Sequence, residues 1–143
     1  MLIVSKCLTG ECCRYDGRST PDEEIIALVK AGKAIAVCPE QLGGLPTPRT
    51  PAELTASGEA VLRGRGAAVT RDGRDVTAAF IAGANEALRI AKEAGAERAI
   101  LKAKSPSCGH GLIYDGSFNG RLTCGSGVTA ALFIGNGVAV ETR

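Results

Sequence analysis

The chain has 143 residues, with 17 Lys and Arg against 15 Asp and Glu, a formal net charge of +2. That near-balance supplies no broad basic face for a phosphate backbone, and two Tyr, three Phe and no Trp leave few platforms for stacked bases. Both features argue against a nucleic-acid partner. No apolar run approaches the roughly 20 residues of a membrane-spanning helix. Met1-Leu-Ile-Val-Ser-Lys6 has neither the length nor the basic start of a signal peptide, so a cytoplasmic protein without a membrane partner is expected. In that compartment the six Cys read as ligands or reactive thiols rather than disulfides. The length suits a single domain spanning residues 1–143, large enough to bury a core without cross-links.

Leu2 to Ser5 is a short apolar run, as in a strand buried on both faces. Asp22 to Ala31 reads as a helix: an acidic first turn follows Pro21, Ile25, Leu28 and Val29 share one side, and Gly32 stops it. Ala34 to Val37 is a second apolar strand. Pro39 to Pro51 is rich in Pro and Gly and reads as an irregular loop. Glu59 to Leu62 and Ala67 to Thr70 flank Gly-rich turns and suggest a small hairpin. Thr77 to Ala94 carries the stripe Phe80, Ile81, Ala84, Leu88 and Ala91 of an amphipathic helix, capped by Asp75 or Thr77 and ended by Gly95. Ala99 to Ala103 is a third strand, Val128 to Ile134 a short helix, and Val138 to Glu141 a fourth strand. Strands alternating with helices imply right-handed crossovers and a parallel sheet. The expected fold is a compact Rossmann-like three-layer α/β domain with about four mostly parallel strands and a hairpin insertion.

In such a sheet, ligands bind outside the carboxyl ends of the strands. Cys7 lies just past the first strand, Cys38 at the end of the second and Cys108 in the loop after the third. Three thiols thus arrive at one end of the sheet from distant parts of the chain. Their spacing is neither that of a zinc ribbon nor the compact run of a ferredoxin. Cys12 and Cys13 are neighbours and cannot both face one metal without strain. Cys124, before the last helix, is a weaker candidate.

Around the thiols, the stiff Cys38-Pro-Glu40 turn holds a carboxylate, a candidate general base. Ser105-Pro-Ser-Cys-Gly109 presents two hydroxyls beside Cys108. His110, the one histidine, is either a further ligand or an ordinary loop residue. Arg14, Arg49 and Lys104 are cations suited to an anionic substrate. Gly125-Ser-Gly-Val-Thr129 is either a phosphate-binding helix start or a simple cap.

Taken together, the blocks Cys7-Leu-Thr-Gly10, Cys13-Arg-Tyr-Asp-Gly17, Cys38-Pro-Glu-Gln-Leu-Gly-Gly-Leu-Pro-Thr-Pro-Arg49, Lys104-Ser-Pro-Ser-Cys-Gly109, Ile113-Tyr-Asp-Gly116 and Gly127-Val-Thr-Ala-Ala131 follow in order over almost the whole chain. This pattern resembles the bacterial family of thiouracil desulfidases, once catalogued only as a domain of unknown function. The resemblance implies a [4Fe-4S] cluster held by Cys7, Cys38 and Cys108, with one iron left without a protein ligand. It implies Glu40 and Ser105 as the catalytic pair, with Ser107 the alternative hydroxyl, and Cys13 near the cluster without binding it. The reaction implied is non-redox desulfuration of thiouracil or a thiolated uracil nucleotide. The resemblance implies that an open iron would accept the sulfur, with Glu40 activating water and hydrosulfide as the product.

Three rival readings remain open on the sequence. One is a structural or regulatory zinc module in which His110 or another Cys joins the three thiols. Another is a cluster-free thiol enzyme with Cys38 or Cys108 as nucleophile. The last is a nucleotide-binding scaffold in which Gly125 to Thr129 grips phosphate without catalysis.

Overall fold

The computed structural model describes residues 1–143. The first strand, β1 (Leu2–Ser5), runs into a 3-10 turn, Lys6–Thr9. Helix α1 (Glu23–Lys30) starts where the Asp22 carboxylate accepts the Glu24 and Ile25 N–H groups, and its chain returns as β2 (Ala34–Val37), parallel to β1. Residues 38–51 are not wholly irregular, as the Pro and Gly content suggests. Pro39–Leu42 forms one helical turn, α2, with Cys38 at its N-cap. Pro39 occupies the first position, where a missing N–H costs nothing.

The hairpin is also differently built from its sequence reading. β3 (Ala52–Leu54) pairs antiparallel with β4 (Ala68–Thr70), and the segment between them contains α3 (Gly58–Leu62). Glu59–Leu62 is therefore helical: the Ser57 hydroxyl accepts the Ala60 N–H and starts the turn. Helix α4 (Thr77–Glu93) has its first turn tied by Thr77 N–H to Asp75, and β5 (Arg98–Leu101) follows. A second hairpin without a sequence signal comes next, β6 (His110–Tyr114) and β7 (Leu122–Ser126). Helix α5 (Val128–Gly135) and β8 (Ala139–Thr142) end the chain.

The central sheet has order β2-β1-β5-β8, all parallel. Alternation along the strands sorts the core. Ile3, Ala99 and Leu101 pack with Ala87, Leu88, Ala130 and Phe133 of α4 and α5, while Val4, Ala34 and Ile100 pack with Ile25 of α1 on the opposite face. The Rossmann-like α/β architecture expected from the sequence is thus the observed one, with two hairpins rather than one. From β1 the chain moves outward to β2, then crosses back to β5 and β8. The reversal falls between β1 and β5, and a crevice opens there at the carboxyl ends of the strands.

A third cluster joins the hairpins to this body: Leu54, Val61, Ala68, Phe80, Ala84, Ile113 and Val128. Helices α2 and α4 cross at Gly43 and Gly83, where a methyl on either would collide with the backbone of the other helix. That crossing fixes the Cys38–Glu40 turn against the longest helix. No helix is long and apolar enough to cross a membrane.

Candidate active site

A cavity of about 550 Å³ occupies the crevice. Cys7, Cys13, Cys38, Cys108, Glu40 and Ser105 all line it. The thiols reach it from both faces of the sheet: Cys7 and Cys13 belong to the α1 side of the core and Cys108 to the α4–α5 side. All are free, and Cys7, Cys13 and Cys108 are buried. Cys12, Cys124 and His110 do not line the cavity. His110 is exposed and pairs through Nδ1 with the Ser126 hydroxyl at 2.8 Å, away from the thiols.

The thiols are electrostatically unequal. The Cys13 thiol sits between the sulfurs of Cys7 and Cys38 and is the leading cause that lowers both, to about 7 for Cys7 and about 6 for Cys38. The Gln41 N–H and the Arg49 charge assist at Cys38 against the cost of burial. Those same contacts drive Cys13 upward, so it stays a thiol. Cys108 is pushed up to about 12 by burial, although the Ser5 hydroxyl favours its ionised form. No three His, Cys, Asp or Glu side chains converge closely enough to hold a single metal ion.

Glu40 is held by Arg49, whose Nε donates to Glu40 Oε2 at 2.7 Å. The remaining guanidinium donors reach the Pro46 carbonyl, the Thr47 hydroxyl and the Cys13 carbonyl. Arg49 is 7% and Glu40 17% exposed in their side chains, so this is a nearly buried clip. The sequence suggests Arg49 as a cation for an anionic substrate; the structure engages it with Glu40 instead. Glu40 Oε1 makes no bond within the chain and is not buried without a partner.

Ser105 Oγ accepts the N–H groups of Ser107 and Cys108 at 3.1 and 3.0 Å and thereby shapes the loop that carries Cys108. Ser107 is 1% exposed, pairs with Thr129 Oγ1 at 2.8 Å and does not line the cavity. Of the two hydroxyls, Ser105 alone faces the site. The start of α5 is not available to a phosphate: the N–H groups of Gly127, Val128 and Thr129 all donate to carbonyls of Gly109, Pro106 and Ser107. These bonds hold the Cys108 loop in place.

Sequence reasoning missed several lining residues, among them Glu53, Arg71, Lys102 and Phe118. Lys104 and Phe118 are the two non-glycine residues with positive φ, 66° and 57°, and both line the cavity. Such strain persists where surrounding structure imposes it, and it gathers at functional sites.

The sequence profile of 2-thiouracil desulfurase matches residues 2–143. The chain belongs to the 2-thiouracil desulfurase family. Within the likeness of this family, the uncharacterized protein YbbK of Bacillus subtilis (strain 168) is 51% identical over 133 residues, 92% of this chain and 88% of that one. The solved structure of the [4Fe-4S]-dependent thiouracil desulfidase TudS superposes with a TM-score of 0.88 at 45% identity. That match covers 99% of this chain and 89% of TudS. The family match and the structural likeness thus both extend over nearly the whole chain.

Proposed function

We propose that this protein hydrolytically removes sulfur from thiouracil or a thiolated uracil nucleotide, with a [4Fe-4S] cluster held by Cys7, Cys38 and Cys108. The observation that carries the reading is the arrival of these thiols from three strand ends at one cavity with Glu40 and Ser105. The donor set suits the group. Cys7, Cys38 and Cys108 line one cavity, and ligands of a multi-iron cluster each bind a different iron. Two of the three already sit near or below neutral pKa, which lowers the cost of supplying thiolates. When bound, the cluster supplies an open iron, a thiophilic Lewis acid that makes the carbon of C=S electrophilic.

The chain's own residues do the rest. Arg49 fixes Oε2 of Glu40 and leaves Oε1 to take a proton from water. The Ser105 oxygen already accepts two N–H groups, so it offers its proton and orients that water by donation. The water oxygen bonds to the ring carbon, the C–S bond breaks, and sulfur leaves as hydrosulfide while C=O replaces C=S. No electrons are gained or lost. Arg71, stacked on Phe118 at 5.6 Å, and Lys104 offer positive charge to an anionic substrate such as a nucleotide.

The test is iron and acid-labile sulfide per chain on protein reconstituted without oxygen, with uracil and hydrosulfide measured on incubation with 2-thiouracil. About four of each per chain and equal release of both products support the reading. Zinc alone, or uracil formation that survives loss of Cys7, Cys38 and Cys108, overturns it. Glu40→Gln should keep its iron and lose turnover by about 100-fold or more.

A further inference from the structure

Thr20 lies outside everything the proposed chemistry uses. Its N–H donates to the Cys7 carbonyl at 2.9 Å, and the Asp22 N–H donates to the Leu8 carbonyl at 2.8 Å. The segment ahead of α1 therefore runs against the 3-10 turn that carries Cys7. Thr20 Oγ1 is buried, and it is the one buried side-chain nitrogen or oxygen in the chain without a hydrogen-bond partner. Thr20 is among the groups that favour the Cys7 thiolate, after Cys13 and against the cost of burial, while its hydroxyl makes no hydrogen bond in the chain.

Buried polar groups in native proteins are nearly all paired, so an orphan marks strain or a partner that arrives with a ligand. A neutral thiol accepts hydrogen bonds weakly, whereas a metal-bound thiolate carries charge and spare lone pairs. The neighbouring thiols show the contrast. Ser5, beside Cys108, has its oxygen satisfied by the Lys102 N–H at 2.9 Å, so it is anchored whatever Cys108 binds. At Cys38 the donor is the Gln41 backbone N–H. The Thr20 hydroxyl has no such anchor, and the nearby acceptor it lacks is an anionic sulfur.

We propose that Thr20 Oγ1 donates a hydrogen bond to the Cys7 sulfur when that sulfur is a cluster ligand, which makes Thr20 a positioning residue of the site. The inference rests on the cluster reading above. A donor at a ligand sulfur draws charge from it and leaves the irons poorer in electrons. The reduced cluster, being more negative, gains more from that donor than the oxidised one, so the bond raises the reduction potential.

Reconstituted wild type, Thr20→Val, Thr20→Ala and Thr20→Ser would be compared by iron content and by an EPR-monitored redox titration. Valine keeps the shape without the hydroxyl, and alanine guards against a packing defect peculiar to valine. Both should lower the reduction equilibrium constant about threefold to tenfold, tenfold being about 59 mV for one electron, and serine should restore it. The metal-free Thr20→Val protein should melt no lower than wild type, because an orphaned hydroxyl is replaced by an apolar group. Potentials unchanged in both variants, or a metal-free valine variant that melts lower, overturn the inference while leaving the cluster reading intact. A wild type that takes up no iron overturns the cluster reading, and this inference with it.

Discussion

Arg49 donates to Glu40 across 2.7 Å and, with its other nitrogens, ties together three further points of the chain, the Pro46 carbonyl, the Thr47 hydroxyl and the Cys13 carbonyl. One planar fork thus sets the carboxylate, the proline-rich loop and the thiol loop in register. Lysine, a point charge, cannot reproduce that geometry. Arg49→Lys should reduce kcat by about 10- to 100-fold with a smaller change in KM, because a misplaced base acts on a substrate still bound. Arg49→Ala should also cost about 1–3 kcal/mol of stability by leaving Glu40 nearly buried without its partner. Steady-state kinetics and melts of the metal-free protein check both.

The Gly43–Gly83 crossing gives a second prediction, since it seats α2 on α4. The sequence shows Gly83 only as an interruption of a helix. Gly83→Ala places a methyl against the Pro39 carbonyl and must push the Cys38–Glu40 turn toward the cavity. Overpacking of this kind costs about 1–3 kcal/mol, and displacement of the turn should lower iron uptake and turnover together. An alanine variant with wild-type iron content and kcat would show that the crossing does not place the site.

How far the site was legible follows from the same residues. The strands that carry Cys7, Cys38 and Cys108 announce themselves because they are short, apolar and buried on both faces. The crevice then follows from the order of strands and helices. The turn at Glu40 reads as loop because Pro39 hides a helix start whose first position tolerates proline. β6 is missed because His110, Leu112 and Tyr114 face outward, so apolar residues lie on the exposed side and no inward alternation is seen. Arg49 is visible as a cation, but nothing in its spacing names Glu40 as its partner. That pairing depends on how the proline-rich loop folds back.

Lys104 pairs strain with position. Its φ of 66° carries a cost that glycine does not bear, and the residue lines the cavity. Lys104→Gly should therefore raise stability by about 0.5–1 kcal/mol, the relief of strain being partly offset by glycine's entropy. The same variant should raise KM for a thiolated nucleotide more than for free thiouracil, since the positive charge is lost. A melt and the two KM ratios decide it; a variant neither stabilised nor changed in KM would remove Lys104 from both roles.

Asp22 supplies one pH dependence that involves no thiol. Its carboxyl is held below the usual aspartate range, chiefly by the Ile25 N–H and then by Arg143, whose guanidinium reaches it from the far end of the chain at 3.3 Å. A depressed folded-state pKa means that the native chain prefers the ionised form more than the unfolded chain does. The contribution is therefore complete above the unfolded value, about 4, and is lost as pH falls from there through the folded value. Asp22→Ala removes both the helix cap and the tie to Arg143. Its melting temperature should lie below that of wild type by a constant margin from pH 7 to about pH 5, and the margin should narrow as the pH drops below about 4. Melts of the metal-free proteins across that range check it. A margin that stayed the same into acid would assign the effect of Asp22 to packing rather than to charge.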